Sequence, residues 1–176
     1  DVIVDVPTSS VALAINQIAK EKNKVFLGSG PASSDLTGKA CTPNFVHWTY
    51  DTWALANGTG KAIVQTGGKS WFFLTADYAF GHALEKDTSE VVKAGGGKVV
   101  GAVRHPLSTN DFSSFLLQAQ SSKAQIVGLA NAGGDTINSI KQAAEFGIVE
   151  SGQKLAGMLM FGTDVDSLGL KSAQGL

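Results

Sequence analysis

From Trp71 onward the chain repeats one pattern: a short apolar run, a loop of small or polar residues, then a stretch with helical periodicity. Trp71–Leu74 (WFFL) leads through the loop TADYAFG into a helix over His82–Ala94 that stops at three glycines. Lys98–Val103 is the next strand, and STND caps a helix over DFSSFLLQAQ. Gln125–Leu129 is followed by ANAGG and a helix over Asp135–Phe146, and Leu155–Phe161 is the last strand. Strands and helices alternating at these lengths dictate a parallel sheet. Parallel neighbours need a crossover, and the crossover helices cover both faces of the sheet. The runs WFFL and IVGL are apolar without alternation, as strands buried on both sides are.

The first seventy residues carry the same pattern less regularly. Asp1–Asp5 (DVIVD) predicts a short buried strand and PTSS a loop. A helix follows from Ser9 to Lys22, with Val11, Leu13, Ala14, Ile15 and Ile18 as its apolar set. Val25–Leu27 is the next strand, and Thr42–Thr49 (TPNFVHWT) reads as extended. Asp51 or Thr52 caps a helix carrying Trp53, Leu55, Ala56, Ile63 and Val64, which ends at Gly67–Gly68. The fold class is α/β, with parallel sheets covered by helices.

Composition removes several classes of function. With 176 residues, 43% of them apolar, the chain can bury one full core or parts of two. Fourteen basic against fifteen acidic residues leave a formal charge of −1, which gives no reason to expect a nucleic acid or an anionic membrane as partner. No apolar stretch has bilayer-spanning length. The chain opens on Asp1 without an initiator Met, so a processed or truncated product is expected. Cys41 is the only cysteine and cannot form an internal disulfide. His47, His82 and His105 lack metal-ligand spacing with one another or with acidic residues. No G-x-S-x-G elbow and no nucleophile–base signature occurs, which disfavours an α/β enzyme, and no cofactor is called for.

The most suggestive loop is Val25–Gly38, VFLGSGPASSDLTG. GSGPAS approximates the dinucleotide fingerprint, but Ser33 stands where the third glycine belongs. The ten residues between Ser34 and FVHW, interrupted by Pro43, leave no room for the crossover helix that motif requires. The chemistry that survives is anion binding. Thr8, Ser9 and Ser10 sit at a helix N-terminus just after one strand, and Gly30–Ser34 follow the neighbouring strand on the same carboxyl edge. Two such loops can grip one carboxylate. Alternatively, Ser9 and Ser10 cap a helix and GSGP turns the chain, as such residues commonly do. Asp77, Tyr78 and Phe80 also occupy a strand-to-helix loop, and Trp48, Tyr50 and Trp53 are clustered.

Taken in order, PTSSVALAINQIA, GSGPASSDLTGKACTPNFVHWTYDTWALANG, FLTADYAFG, NDFSSFLLQAQSSKAQIVGLANAGGDTINSIKQAAEFGI and FGTDVDSLGL resemble the middle of a periplasmic solute-binding protein of the branched-chain amino-acid type. The resemblance covers essentially the whole chain. It implies two lobes that close on a ligand between them, with one lobe partial (1–49) and the other mostly present (50–176). It also implies that family sequence is missing at both ends and that the crossing falls near Thr49–Thr52. Carried over, the carboxylate-binding positions are Ser9 and Ser10 in one loop and Pro31, Ala32 and Ser33 in the next. Ala32 stands where amino-acid binders have threonine, so only its N–H is retained. Tyr50 and Asp51 fall close to the cleft.

From the second lobe, the family's tyrosine falls on Phe80, its second tyrosine near Ala132, and the acidic residue that receives an ammonium on Asp164. These departures imply a roomier, less polar pocket than a leucine site and bring aromatic carboxylates into competition with amino acids. The resemblance further implies a periplasmic location, a small carboxylate ligand and a membrane permease of an ABC importer as partner. A sensor domain of the same fold is the alternative. Cys41 either pairs with a cysteine outside this chain or is a free thiol. Strands lacking their flanking neighbours are expected to favour self-association of the chain.

Overall fold

The structure, a computed structural model, describes residues 1–176. Its strands form two separate parallel sheets. The first is built from β1 (Val2–Ile3), β2 (Val25–Gly28) and β3 (Phe45–His47), in that order. Helix α1 (Ser9–Glu21) crosses from β1 to β2 and packs Ala12 and Ala19 on Phe26, with Leu36 closing the cluster. The buried line of α1 is Ser9, Ala12, Asn16 and Ala19, while Val11 and Ile18 are exposed. This corrects the apolar set expected from periodicity. Small side chains let the helix lie close to the sheet. Asn16 is tolerated there because its amide donates to the Ala40 carbonyl at 2.8 Å and accepts from the Thr42 hydroxyl at 2.7 Å.

Strand β1 is shorter than the expected Asp1–Asp5, and it is not buried: Val2 and Val4 are exposed. The register explains the pattern. Ile3, Phe26 and Phe45 are cross-strand partners on the face that α1 covers, whereas Val2 pairs with Val25 and Leu27 with Val46 on the other face. Those four side chains are all exposed, and no helix of this chain lies over them.

The second sheet follows a long helical run. Its segments α2 (Thr52–Leu55) and α3 (Lys61–Gln65) are joined without a break by a π turn over Ala56–Gly60. Gly58 and Gly60 sit inside this turn, where helical propensity is lowest and a widened turn is cheapest. Strands β4 (Ser70–Ala76), β5 (Lys98–His105), β6 (Ile126–Ala130) and β7 (Lys154–Gly157) then pair in the order β5-β4-β6-β7. The helices between them are α4 (Ala79–Ala94), α5 (Ser113–Ser121) and α6 (Gly134–Glu145), and α7 (Gly162–Leu168) and α8 (Leu170–Ala173) close the chain.

The all-apolar strands are buried on both sides. Trp71, Phe73 and Ile126 meet Leu84 and Val92 of α4. Phe72, Leu74 and Val127 meet Leu116 of α5 and Ile140 of α6.

Strands β4 and β5 run two residues past their expected ends, to Ala76 and His105, and the two largest departures near the carboxyl edge of this sheet are the start of α4 and the end of β7. Helix α4 begins at Ala79, not His82, so Phe80 lies in its first turn and not in a loop. Gly81 makes this possible: a Cβ there would lie 2.0 Å from the Ala76 carbonyl oxygen, so only glycine lets the helix start so soon after the strand. Strand β7 stops at Gly157, short of Phe161, because its last partner is Leu129 and β6 itself ends one residue later, at Ala130. Met158 and Leu159 remain buried without extending the ladder. No helix is long and apolar enough to cross a membrane.

Candidate functional site

The carboxyl edges of both sheets converge. From the first sheet come the loop before α1 and the loop after β2. From the second come the turns that follow β4, β6 and β7. Ser9 is buried at the start of α1, and its hydroxyl oxygen accepts the N–H groups of Ala32 and Ser33, each at 3.2 Å. The two serine loops read from sequence are therefore in contact, with the donors expected for a carboxylate converging on one oxygen. The remaining groups of the second loop are fixed by neighbours. The Pro31 carbonyl accepts from His47 Nε2 at 2.7 Å, Ser33 Oγ accepts the Asp35 N–H, and the Ala32 carbonyl accepts the Thr52 N–H. The short 3₁₀ turn Ser34–Leu36 follows directly.

Ser10 points the other way. Its hydroxyl accepts the N–H of Ala79, the first residue of α4, at 3.1 Å, which ties the two edges together directly. A second tie lies deeper. Asp87, buried on α4, accepts the hydroxyls of Ser34 and Thr52 at 2.7 Å each, and Thr52 Oγ1 in turn accepts the Ser34 N–H.

The opposing wall is aromatic. Ala32, Tyr50, Tyr78, Phe80 and Ala132 share one apolar cluster with Leu159. The Tyr78 ring lies 5.8 Å from that of Phe80, and Tyr50 lies 5.9 Å from Phe161. Burial raises the Tyr50 phenol above its ordinary value. Burial, helped by the charge of Asp135 and the nearby Tyr50, raises Tyr78 to about 12. Asp164 is buried in the first turn of α7, where its carboxylate accepts the Phe161 N–H at 2.8 Å. Asp135 is likewise buried, and its two oxygens accept the N–H groups of Ser108 and Thr109.

Of the ten residues singled out from sequence, Ser9, Ser10, Pro31, Ala32, Ser33, Tyr50, Phe80 and Ala132 come together around this edge. Asp164 lies just behind Phe161. Asp51 instead caps α2 through a bond of its carboxylate to the Ala54 N–H at 2.7 Å. The sequence reading left out Phe161, Asp135 and Asp87, and it noted Tyr78 in a strand-to-helix loop without assigning it to the ligand. Phe161 closes one apolar run and Tyr78 follows another, and those positions were the available signal. Asp87 gave none, since it is one acidic residue on a charged helix.

A groove of about 890 Å³ lies elsewhere, beside Ala62, Ile126, Lys154 and Leu155 at the amino edge of the second sheet. Six of its sixteen lining residues are glycines, and it runs along the open side of β7. Ligands of open α/β sheets bind at the carboxyl edge, and the converging donors are there. No group of three His, Cys, Asp or Glu residues is placed to hold a metal.

Two parallel sheets whose carboxyl edges face each other across small-residue loops define a two-part ligand-binding α/β protein. The chain belongs to the periplasmic binding protein family, whose sequence model matches residues 1–176. Its fold is similar to the crystal structure of a periplasmic binding protein from Burkholderia mallei, at 63% identity and a TM-score of 0.97 over 99% of this chain and 46% of that one. An ABC transporter solute-binding protein from R. palustris in complex with 4-hydroxybenzoate is similar at 26% identity and a TM-score of 0.85, over 96% of this chain and 46% of that one. A Leu/Ile/Val-binding protein homologue from Brucella melitensis is 29% identical over 90% of this chain and 41% of its own length. The chain thus spans less than half the length of these relatives. The family and these relatives are solute-binding proteins, and the family implies an extracytoplasmic location.

Proposed function

We propose that the chain forms the ligand cleft of a periplasmic, non-enzymatic binding protein that captures a small carboxylate and presents it to the membrane permease of an ABC importer. The observation that carries this reading is the meeting of the Ala32 and Ser33 N–H groups at Ser9, opposite an aromatic wall. The division into two moving units falls at residues 49 and 50. The first unit supplies N–H and hydroxyl donors to the carboxylate. The second closes over the apolar part, and the Ser10–Ala79 and Ser34–Asp87 bonds hold the closed arrangement that the permease recognises.

The ligand is an aromatic carboxylate. The ring pairs Tyr50–Phe161 and Tyr78–Phe80 gather at this edge, and Phe80 and Ala132 withhold the hydroxyls expected of a leucine site. One observation favours a branched-chain amino acid instead: the buried Asp164 carboxylate beside Phe161, whose negative charge an ammonium would neutralise.

Calorimetric titration of the complete protein and its Asp164→Asn variant with benzoate and leucine separates the two. An aromatic-acid site gives saturable benzoate binding that the substitution leaves unchanged or improves, because a nearby like charge is removed. Leucine binding abolished by Asp164→Asn would establish the amino-acid reading, since a desolvated ammonium would lose its partner.

A further inference from the structure

We propose that His105 is a positioning residue for the ligand: through the Asn131 side chain it holds the loop Asn131–Gly133, which sets where Ala132 stands at the carboxyl edge. This rests on the reading of that edge as a ligand cleft and is independent of which carboxylate binds there. His105 is the last residue of β5, and its ring is completely buried. It lies edge-on to Phe112, with centroids 4.8 Å apart, and to Phe115 at 6.1 Å. A buried imidazole needs both nitrogens paired. Nδ1 is 2.8 Å from the Pro106 carbonyl oxygen, which can only accept, so Nδ1 carries the proton. Nε2 then holds a lone pair and accepts from the Asn131 amide nitrogen at 3.2 Å. The Asn131 amide oxygen accepts the Thr136 hydroxyl at 2.7 Å. Asn131 and Thr136 are as fully buried as His105. Each bond thus fixes the direction of the next, from the end of β5 through the loop after β6 to the first turn of α6.

The loop depends on this chain of bonds because little else holds it. Its one other hydrogen bond is at the Gly133 carbonyl, which accepts the Ile137 N–H at 3.0 Å. Gly133 sits at φ 57° and ψ −132°, a conformation that glycine adopts and other residues avoid. A Cβ at Gly133 or Gly134 would meet nothing within 4 Å, so no packing on that side sets the backbone. Ala132, between Asn131 and Gly133, belongs to the apolar cluster of Ala32, Tyr50, Tyr78 and Phe80. Releasing the Asn131 side chain frees Ala132 to shift against those rings, and with it the surface that a ligand meets.

The test separates the Nε2 acceptor from the bulk of the ring. In His105→Gln the side-chain oxygen can replace Nε2 as acceptor for Asn131, whereas the shorter His105→Asn reaches only the Nδ1 position. Both lose the ring contacts with Phe112 and Phe115, so both are expected to melt lower by similar amounts. Titrated with benzoate and with leucine, the complete protein carrying His105→Asn should bind its ligand about tenfold more weakly than the wild type, and His105→Gln within about threefold of it. Thr136→Val, which keeps shape and loses the hydroxyl, should weaken binding as His105→Asn does, and Thr136→Ser should restore it. Equal losses in the two His105 variants, or wild-type affinity in both His105→Asn and Thr136→Val, would leave His105 a core residue only and overturn the proposal. A wild type that binds neither probe would instead overturn the cleft reading, and this proposal with it.

Discussion

At Ser9 one hydroxyl oxygen satisfies two buried N–H groups, those of Ala32 and Ser33. Removing it leaves both donors unpaired in the ligand-free protein. Ser9→Ala is therefore expected to lower the unfolding free energy by about 1–3 kcal/mol, read from urea denaturation. A change within about 0.5 kcal/mol would mean that neither donor depends on Ser9. The tyrosines offer a second handle, because Tyr50 and Tyr78 are the only two and both are raised. A phenol raised in the folded state contributes stability that is complete below its unfolded value of about 10 and is lost as pH rises through the folded one. Ultraviolet titration should show little phenolate at pH 10 in the folded protein, and stability should fall between about pH 10 and 12. Phenolate appearing with an ordinary midpoint near pH 10 would show that neither ring is enclosed. The sequence made the serines visible because hydroxyls after a strand have a recognisable chemistry. It hid Asn16, whose polarity argued against burial until its partners Ala40 and Thr42, each more than twenty residues away, were in view.

Helix α4 is the element that joins the two halves, and its position depends on two residues. At Gly81 a Cβ would clash with the Ala76 backbone, which cannot give way as a flexible side chain would. Gly81→Ala should cost about 3 kcal/mol and shift the melting curve accordingly. A stable Gly81→Ala protein would show that α4 starts further from the strand end. Asp87 holds Ser34 and Thr52 from the same helix. Asp87→Ala strands two hydroxyls and should cost about 2–3 kcal/mol, and Ser34→Ala less. An Asp87→Ala protein as stable as the wild type would remove the tie. Most strands and helices were legible from sequence, because the doubly buried runs WFFL and IVGL carry their own pattern. The starts and stops were less so. Gly81 read as the last residue of a loop when it is a site of close backbone approach inside α4, and the end of β7 is set by where β6 ends, which no local pattern records.

At the scale of the whole molecule, the parallel order of the second sheet followed from alternation, whereas in the first sheet β2 and β3 are parallel with only the 3₁₀ turn Ser34–Leu36 between them. The convergence of the two sheets' edges did not follow from it, since Ser10 and Ala79 are sixty-nine residues apart in sequence. The same register that buries Phe26 under α1 leaves Val2, Val25, Leu27 and Val46 as an open apolar face on the first sheet. Parallel sheets are ordinarily covered on both faces, so the 176-residue polypeptide by itself is expected to self-associate through this one. Sedimentation should show a concentration-dependent shift that Leu27→Lys abolishes. A monomer at all concentrations would show that this face is tolerated bare.

Whether a carboxylate binds between the two carboxyl edges is read residue by residue from amide-resolved nuclear magnetic resonance. Titration with benzoate is predicted to give saturable shifts at the N–H groups of Ala32 and Ser33, and at Ala132 and Phe161 opposite them, with Gly67 and Lys154 on the far edge unmoved. Shifts confined to the groove beside Lys154, or no saturable shift with any small carboxylate, would contradict binding there.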